Sequence, residues 1–384
     1  MAPYKLPVTR MQSFRNSARL FFIVLALALP VLAGDAPKDA RKALGAKALD
    51  ALRSALSHDD ADVRALAAAQ WGRIGNPAAV PLLEKALKDR NPYVRIAAAR
   101  SLHDLGDGTG LRALEEIVSI VPKSAKTDET LAAVEEMRSV ARNKVRVEAL
   151  RALAAMGDPS SRPVLERVRR DSDGAVRDAC TLALARLGMG GVEEFFAALE
   201  DPDPEVRSKA VRLLGETRSP SLIARLKPLA DDTEFAVRAA VMEALGDIGS
   251  ADALPILEDG LADQNERVRA KAVEAAGEIP DRASVALLES ARKTTNAHIE
   301  LLALRGLARR GEPVDAALAE RALGRPDTDT QLLAIETLEA AGGSRAVGAL
   351  ESALDDRDFK VRVRAAAALI LLLRKPASGK GDAR

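Results

Sequence analysis

Apolar positions along most of the chain recur with the period of a helix. Around the dipeptide Val-Arg, apolar residues fall three, four, seven and ten positions after the Arg, which traces one helical face. The dipeptide itself recurs at Val63-Arg64, Val94-Arg95, Val145-Arg146, Val176-Arg177, Val206-Arg207, Val237-Arg238, Val268-Arg269 and Val361-Arg362. Ile299-Glu300 and Thr330-Gln331 occupy the two vacant places, so that successive anchors stand 31, 51, 31, 30, 31, 31, 31, 31 and 31 residues apart. Ten units at this spacing predict a solenoid. Each reads as two helices joined by a short polar turn, as in SLIARLKPLADD followed by AVRAAVMEALGDIGS in unit six. All-α architecture follows.

The position three after the Arg is small (Ala67, Ala98, Ala149, Cys180, Ala210, Ala272, Ala303, Ala334, Ala365, with Val241), which lets helices approach closely. Cys180 and Trp71 fall in core slots and are read as packing residues. Gly eleven after the Arg (Gly75, Gly106, Gly157, Gly188, Gly249, Gly311, Gly342) marks helix ends, where a left-handed residue is favoured. Asp or Asn four before the Arg (Asp60, Asn91, Asp173, Asp203, Asn265, Asn296, Asp327, Asp358) suits helix N-caps, with Glu234 in the same place. A further Asp stands six before it. Asp89, Asp171, Asp201, Asp232, Asp263 and Asp356 therefore run in step with Arg95, Arg177, Arg207, Arg238, Arg269 and Arg362, an expected ladder of charge-assisted hydrogen bonds between repeats. Glu300 and Gln331 interrupt it, which marks a softer joint.

The unit D-x-(D/N)-x-x-V-R-x-x-A-x-x-A-L-G-x-x-G, clearest at 89–106, 201–216 and 232–249, resembles the HEAT repeat, in particular its bacterial phycobilisome-lyase-like branch. The resemblance covers nearly all of residues 46–375. It implies a right-handed α-solenoid with the second helices on the concave side and the Asp and Arg rows between repeats. It also implies functions ranging from scaffolds to a few enzymes, bilin lyases among them.

The N-terminus departs from the pattern. Lys5, Arg10, Arg15 and Arg19 precede the apolar run Leu20–Leu29 and the small-residue segment Val31-Leu32-Ala33, which predicts a signal peptide over residues 1–33 cleaved after Ala33. The run is short of the ~20 residues that span a bilayer, so no membrane span remains after cleavage. Residues 34–45 then form a lead-in, and 376–384 a polar tail. Without residues 1–33 the formal net charge is −3. A mildly acidic chain with 3% aromatic residues and a single cysteine excludes a general nucleic-acid binder, a disulfide framework and a Cys-rich zinc module.

Candidate chemistry is sparse. The histidines occur as His58-Asp59, His103-Asp104 and His298-Ile299, none in the His-Glu pairs with which the HEAT-type deoxyhypusine hydroxylase holds iron, so no metal, cofactor or catalytic residue is assigned. What remains is the concave face, at slots five and nine after the Arg. There Arg73, Arg100, Arg151, Arg186 and Arg212 in units one to five give way to Glu216, Glu243, Asp247, Glu274 and Glu278 in units five to seven, while Arg305 and Arg309 reverse the sign in unit eight. Such a stripe suits a polar or charged protein partner; a solvated face with local pairs is the alternative. The 20-residue excess in unit three (about 119–140) predicts one long helix over 128–156 whose first turns project from the edge. The favoured function is an exported, non-enzymatic scaffold or adaptor. A bilin-lyase-like enzyme or accessory, and a chaperone for secreted clients, are the alternatives.

Overall fold

A computed structural model describes residues 38–120 and 129–374. The expected leader, 1–33, and the tail, 376–384, lie outside the described residues, as do 121–128 of the insertion. The described residues from 45 to 374 form one compact unit; the other described residues, 38–44, are the opening turns of helix Lys38–Ala55.

Every regular element among the described residues is helical. Unit one comprises Lys38–Ala55 and Ala61–Ile74, unit two Val80–Ala86 and Pro92–Asp104, unit three Thr109–Ser119 and the 28-residue Glu129–Met156, unit four Arg162–Val168 and Gly174–Arg186. Unit five replaces its first helix by two 3-10 stretches, Val192–Phe195 and Ala197–Glu200, ahead of Pro204–Glu216. Units six to ten have as second helices Phe235–Ile248, Glu266–Glu278, Ala297–Arg309, Thr328–Ala341 and Phe359–Arg374. The chain is an all-α solenoid.

Local chemistry sets the limits of the second helices. The side chains of Asp60, Asn91, Asp173, Asp203, Asn265, Asn296 and Asp327 accept amides of the first helical turn, as Asp358 does from Lys360; Glu234 makes no such bond. Gly at slot eleven adopts positive φ, for example 66° at Gly75 and 69° at Gly249.

Second helices pack on second helices from unit to unit, much more closely than the first helices do, and so form the inner wall. Slot eight meets slot six of the next unit. A Cβ on Gly215 would come within 2.6 Å of the Ala244 Cα, and one on Gly246 within 2.9 Å of the Ala275 Cα. Only glycine permits that approach.

The rungs between units reach 25 positions ahead. Arg64 grips Asp89 through two bonds of 2.8 and 2.9 Å, Arg207 grips Asp232 likewise, and Arg238 grips Asp263 at 2.7 and 3.1 Å. Arg146, only 2% exposed, holds Asp171 at 2.6 Å and the Val118 carbonyl at 3.0 Å. Gln331 keeps its rung by donating to Asp356 at 3.0 Å, so the expected interruption there is corrected: an amide donor suffices. Arg95, Arg177 and Arg269 donate instead to the carbonyls of Asp89, Asp171 and Asp263 in their own turns (2.8, 2.7 and 2.7 Å), and the Asp201 carboxylate accepts the Asp203 amide. The joint at unit eight is tied elsewhere, through the buried Arg305.

The solenoid closes on itself. The last helix, Phe359–Arg374, packs on Ala61–Ile74 of unit one as neighbouring second helices do elsewhere. Across this seam Lys47 pairs with Asp355 (3.0 Å), Lys360 with Asp62 (3.4 Å), Arg364 donates to Gln70 (3.3 Å), and Arg374 caps the carbonyl of Ile74. Where a rung would join Arg362 to position 58, the rings of His58 and Phe359 lie 4.0 Å apart and the Arg362 guanidinium lies 3.5 Å over Phe359. Ala365 to Ile370 are all buried, as a helix covered on several sides requires. The concave side of the expected solenoid is thereby the inside of a ring. Its thinnest inner contact lies between units four and five.

Cys180 is buried, and its thiol donates to the Leu165 carbonyl at 3.0 Å. Burial pushes the thiol up to about 12, far from the thiolate that reacts.

Two outcomes follow. With Lys360→Cys and Asp62→Cys, a short bis-maleimide should join the two within one chain, since Cys180 is unreactive; only intermolecular products would show an open array. The second concerns acid. Arg64 and Arg238 hold Asp89 and Asp263 below the usual carboxylate range through hydrogen bonds. At Asp171 and Asp232 burial opposes this and is overcome by the bonds from Arg146 and Arg207. Carboxyls lowered on folding stabilise fully above their unfolded value, about 3.9, and lose that contribution as pH falls through the folded values. Tm should therefore be nearly flat from neutrality down to about pH 4 and drop below it, and Asp→Asn at positions 89, 232 and 263 should shallow the drop.

Candidate functional site

Slots five and nine of the second helices face into the ring. Slot two, one turn earlier, lies on the same face and adds Lys271 and Arg364, which sequence reasoning passed over. Closure then changes who meets whom.

Arg73 of unit one bonds Gln70 (3.0 Å) and pairs with Glu339 of unit nine, reaching past unit ten. Arg364 pairs with Glu336, which also takes Arg305 at 2.8 Å. Arg305 further faces Glu278 (3.5 Å) and Glu274 (3.7 Å), and Glu278 is gripped by Arg309. Lys271 bridges Glu274 (3.0 Å) and Glu243 (3.7 Å). On the other side Arg151 holds Glu148 (2.8 Å) and Glu216 (3.3 Å), again skipping a unit. Residues 151 and 216 lie two repeats apart, so side chains from alternate repeats meet inside the wall.

The stripe is thus largely a belt of ion pairs, continuous from unit six through unit ten into unit one. It breaks at units two and four, and of slots five and nine in unit five only Glu216 is paired. Among the described residues the guanidinium groups of Arg100, Arg186 and Arg218 make no hydrogen bond and no ion pair, while Arg212 donates only to the Ser208 hydroxyl (3.1 Å). Burial and the neighbouring Arg218 charge push Arg186 below the usual arginine range, with Arg100 adding to the effect and Glu216 and Asp247 opposing it. Opposite them, desolvation and the charge of Glu243 push Asp247 above the usual carboxylate range, against Arg218 and Lys271. Asp247 is open to solvent yet enclosed by protein, as a side chain inside a ring would be.

Arg218 is also a backbone outlier. It occupies slot eleven, where seven other units place Gly, and has φ 58°, the one positive φ outside glycine among the described residues. An L side chain there costs about 1–2 kcal/mol. The missing Gly in unit five was the signal for it in the sequence. Among the described residues no group of three or more His, Cys, Asp or Glu is placed to hold a metal, and no helix is long and apolar enough to cross a membrane.

The sequence matches the family of HEAT repeats over residues 49–124, 130–194 and 192–275, more than half of the chain. The chain belongs to the HEAT-repeat family. Similar solved structures include human deoxyhypusine hydroxylase in complex with glycerol (21% identity, 70% of this chain and 98% of that one, TM-score 0.31). The YibA protein of E. coli is similar at 19% identity over 72% of this chain and 99% of its own, with a TM-score of 0.31. The complex of CpcE and CpcF of phycocyanin lyase from Nostoc sp. PCC7120 follows at 19% identity, 74% and 91% coverage and a TM-score of 0.29. No curated protein matches the chain. The family match ends at residue 275, before units eight and nine, which depart from the Val-Arg pattern, and unit ten, which keeps it.

Arg305→Met should leave Glu274, Glu278 and Glu336 facing one another without their shared cation. Loss of a buried partner costs 3–5 kcal/mol, and partial solvation of these glutamates reduces that to about 2 kcal/mol. Arg212→Ala, on the unpaired arc, should stay within about 0.5 kcal/mol; urea unfolding of both variants makes the comparison.

Proposed function

We propose that this HEAT protein is an exported, non-enzymatic scaffold that docks a protein partner at its outer edge, on the first turns of the long helix of unit three. The observation that carries this reading is an uncovered apolar ridge. Val134, Met137 and Val140 stand three residues apart, Met137 being 72% exposed, whereas from Asn143 onward the same helix has buried residues. Apolar side chains in series on a projecting helix suit burial against another chain. The stripe that sequence reasoning offered to a partner, from Arg73 to Glu278, is mostly engaged in pairs within the ring, so docking moves outward. Export rests on the basic and apolar leader ahead of Ala33.

A chaperone for secreted clients would need apolar side chains along the inner face. The exposed Tyr93, Val206, Phe235 and Phe359 instead lie at the starts of second helices, away from slots five and nine. An enzyme of the bilin-lyase type would need a recess with free convergent polar groups. The recess lined by Lys227, Asp232, Arg238, Met242 and Asp263 contains arginine and aspartates already bonded in rungs.

The test is crosslinking in the native envelope with full chain carrying Val134→Ser, Met137→Glu and Val140→Ser. Partner crosslinks should disappear while Tm stays within about 1 °C of the parent, because solvated positions rarely alter stability. N-terminal sequencing of the same preparation should begin at Gly34. An unchanged set of crosslinked proteins would remove the docking role.

A further inference from the structure

We propose that Met137 is a reversible oxidation site whose sulfoxide releases the partner from the ridge of unit three, a regulation that rests on the docking role proposed for that ridge. Its thioether is the most accessible sulfur among the described residues. Met137 is 72% exposed, more than any other large apolar side chain among them. Met242 is buried, and Met156 and Met189 are half-buried against the core of units two to four. Cys180 is buried, and its thiol is spent on the Leu165 carbonyl. An oxidant arriving from solvent therefore meets one sulfur first.

The local sequence accounts for this exposure. Side chains one turn apart on a helix are neighbours and can cover each other. One turn either side of Met137 stand Ala133 and Ala141, too short to do so and themselves exposed. Burial begins only at Asn143, which bonds Asp173 of unit four at 2.9 Å. Val134 and Val140 flank the sulfur with groups that a peroxide does not attack. The sulfur lone pair attacks a hydroperoxide oxygen, so that an S–O bond forms as the O–O bond breaks. The departing oxygen leaves with a proton as water or alcohol; sulfur is oxidised by two electrons and the peroxide is reduced. A dithiol reverses the step, giving up two electrons and two protons to become a disulfide while the oxygen leaves as water. Oxidation turns a flexible apolar side chain into a polar, chiral one. Docking would then bury the S=O acceptor at the centre of the ridge without a donor, which is unfavourable. The exported setting proposed for the chain also lies outside the thiol-buffered cytosol.

The experiment exposes the chain purified from the envelope to hydrogen peroxide, maps the added oxygen by peptide mass, and repeats the crosslinking. The first oxygen should appear on Met137, with Met156, Met189 and Met242 needing on the order of tenfold longer exposure. Tm should stay within about 1 °C, because the altered group is solvated. Partner crosslinks should fall about tenfold, and a dithiol-dependent methionine sulfoxide reductase should restore them. In Met137→Leu the crosslink yield, at whatever level it starts, should no longer respond to peroxide. Oxygen arriving first on Met156 or Met189 would overturn the site. Crosslinks lost in the ridge variant but kept by chain carrying Met137 sulfoxide would overturn the switch and leave the docking role standing. Crosslinks kept by both would remove the docking role and the switch together.

Discussion

The close approach of successive second helices is the constraint on which this molecule depends. At Gly72, Gly215, Gly246 and Gly277, glycine at slot eight lies against the small or absent side chain at slot six of the next unit, and second helices pack together more closely than first helices do. A single unit buries too little to stand alone, and its stability comes from its two neighbours. The Arg–Asp rungs repeat at the same joints and fix the register that the small residues allow. The last helix packs on the second helix of unit one, and a one-dimensional array becomes a closed one.

Much of the architecture could be read from the chain because each unit repeats the same local instructions. The Val-Arg anchor, the Asp and Asn caps, the glycine at slot eleven and the apolar face each act within some fifteen residues. Closure was not read, because contacts 300 positions apart leave no periodic trace. One signal was nevertheless present. FKVRVRAAAALILLLR is apolar nearly all round, whereas the end of an open solenoid carries a polar outer face. The inner-face slots were read as positions sharing one side of each helix. Their pairing was not, since Arg73 meets Glu339 only when the ring is closed and Arg151 meets Glu216 only across an intervening unit.

That pairing changes how the charges are understood. Read in order, the stripe passes from basic to acidic and resembles a steering surface. Folded, its two ends are brought together and most of the charge is spent internally, leaving Arg100, Arg186 and Arg218 as the residue of the subtraction. The outward face carries the opposite imbalance, with apolar side chains in water on the helix of unit three. The inner wall thus leaves cationic side chains without ion pairs among the described residues, and the helix of unit three leaves apolar ones in water.

The seam at Lys47, Arg364 and Arg374 makes the covalent start of the ring an accident of gene order. Each unit lies between two neighbours, so the backbone can be opened at an inter-unit turn and rejoined across the seam between unit ten and unit one with the packing retained. Circular permutants of such a bracelet would share one folded form, and a mutation's cost would depend on its slot within the repeat more than on its distance from either terminus.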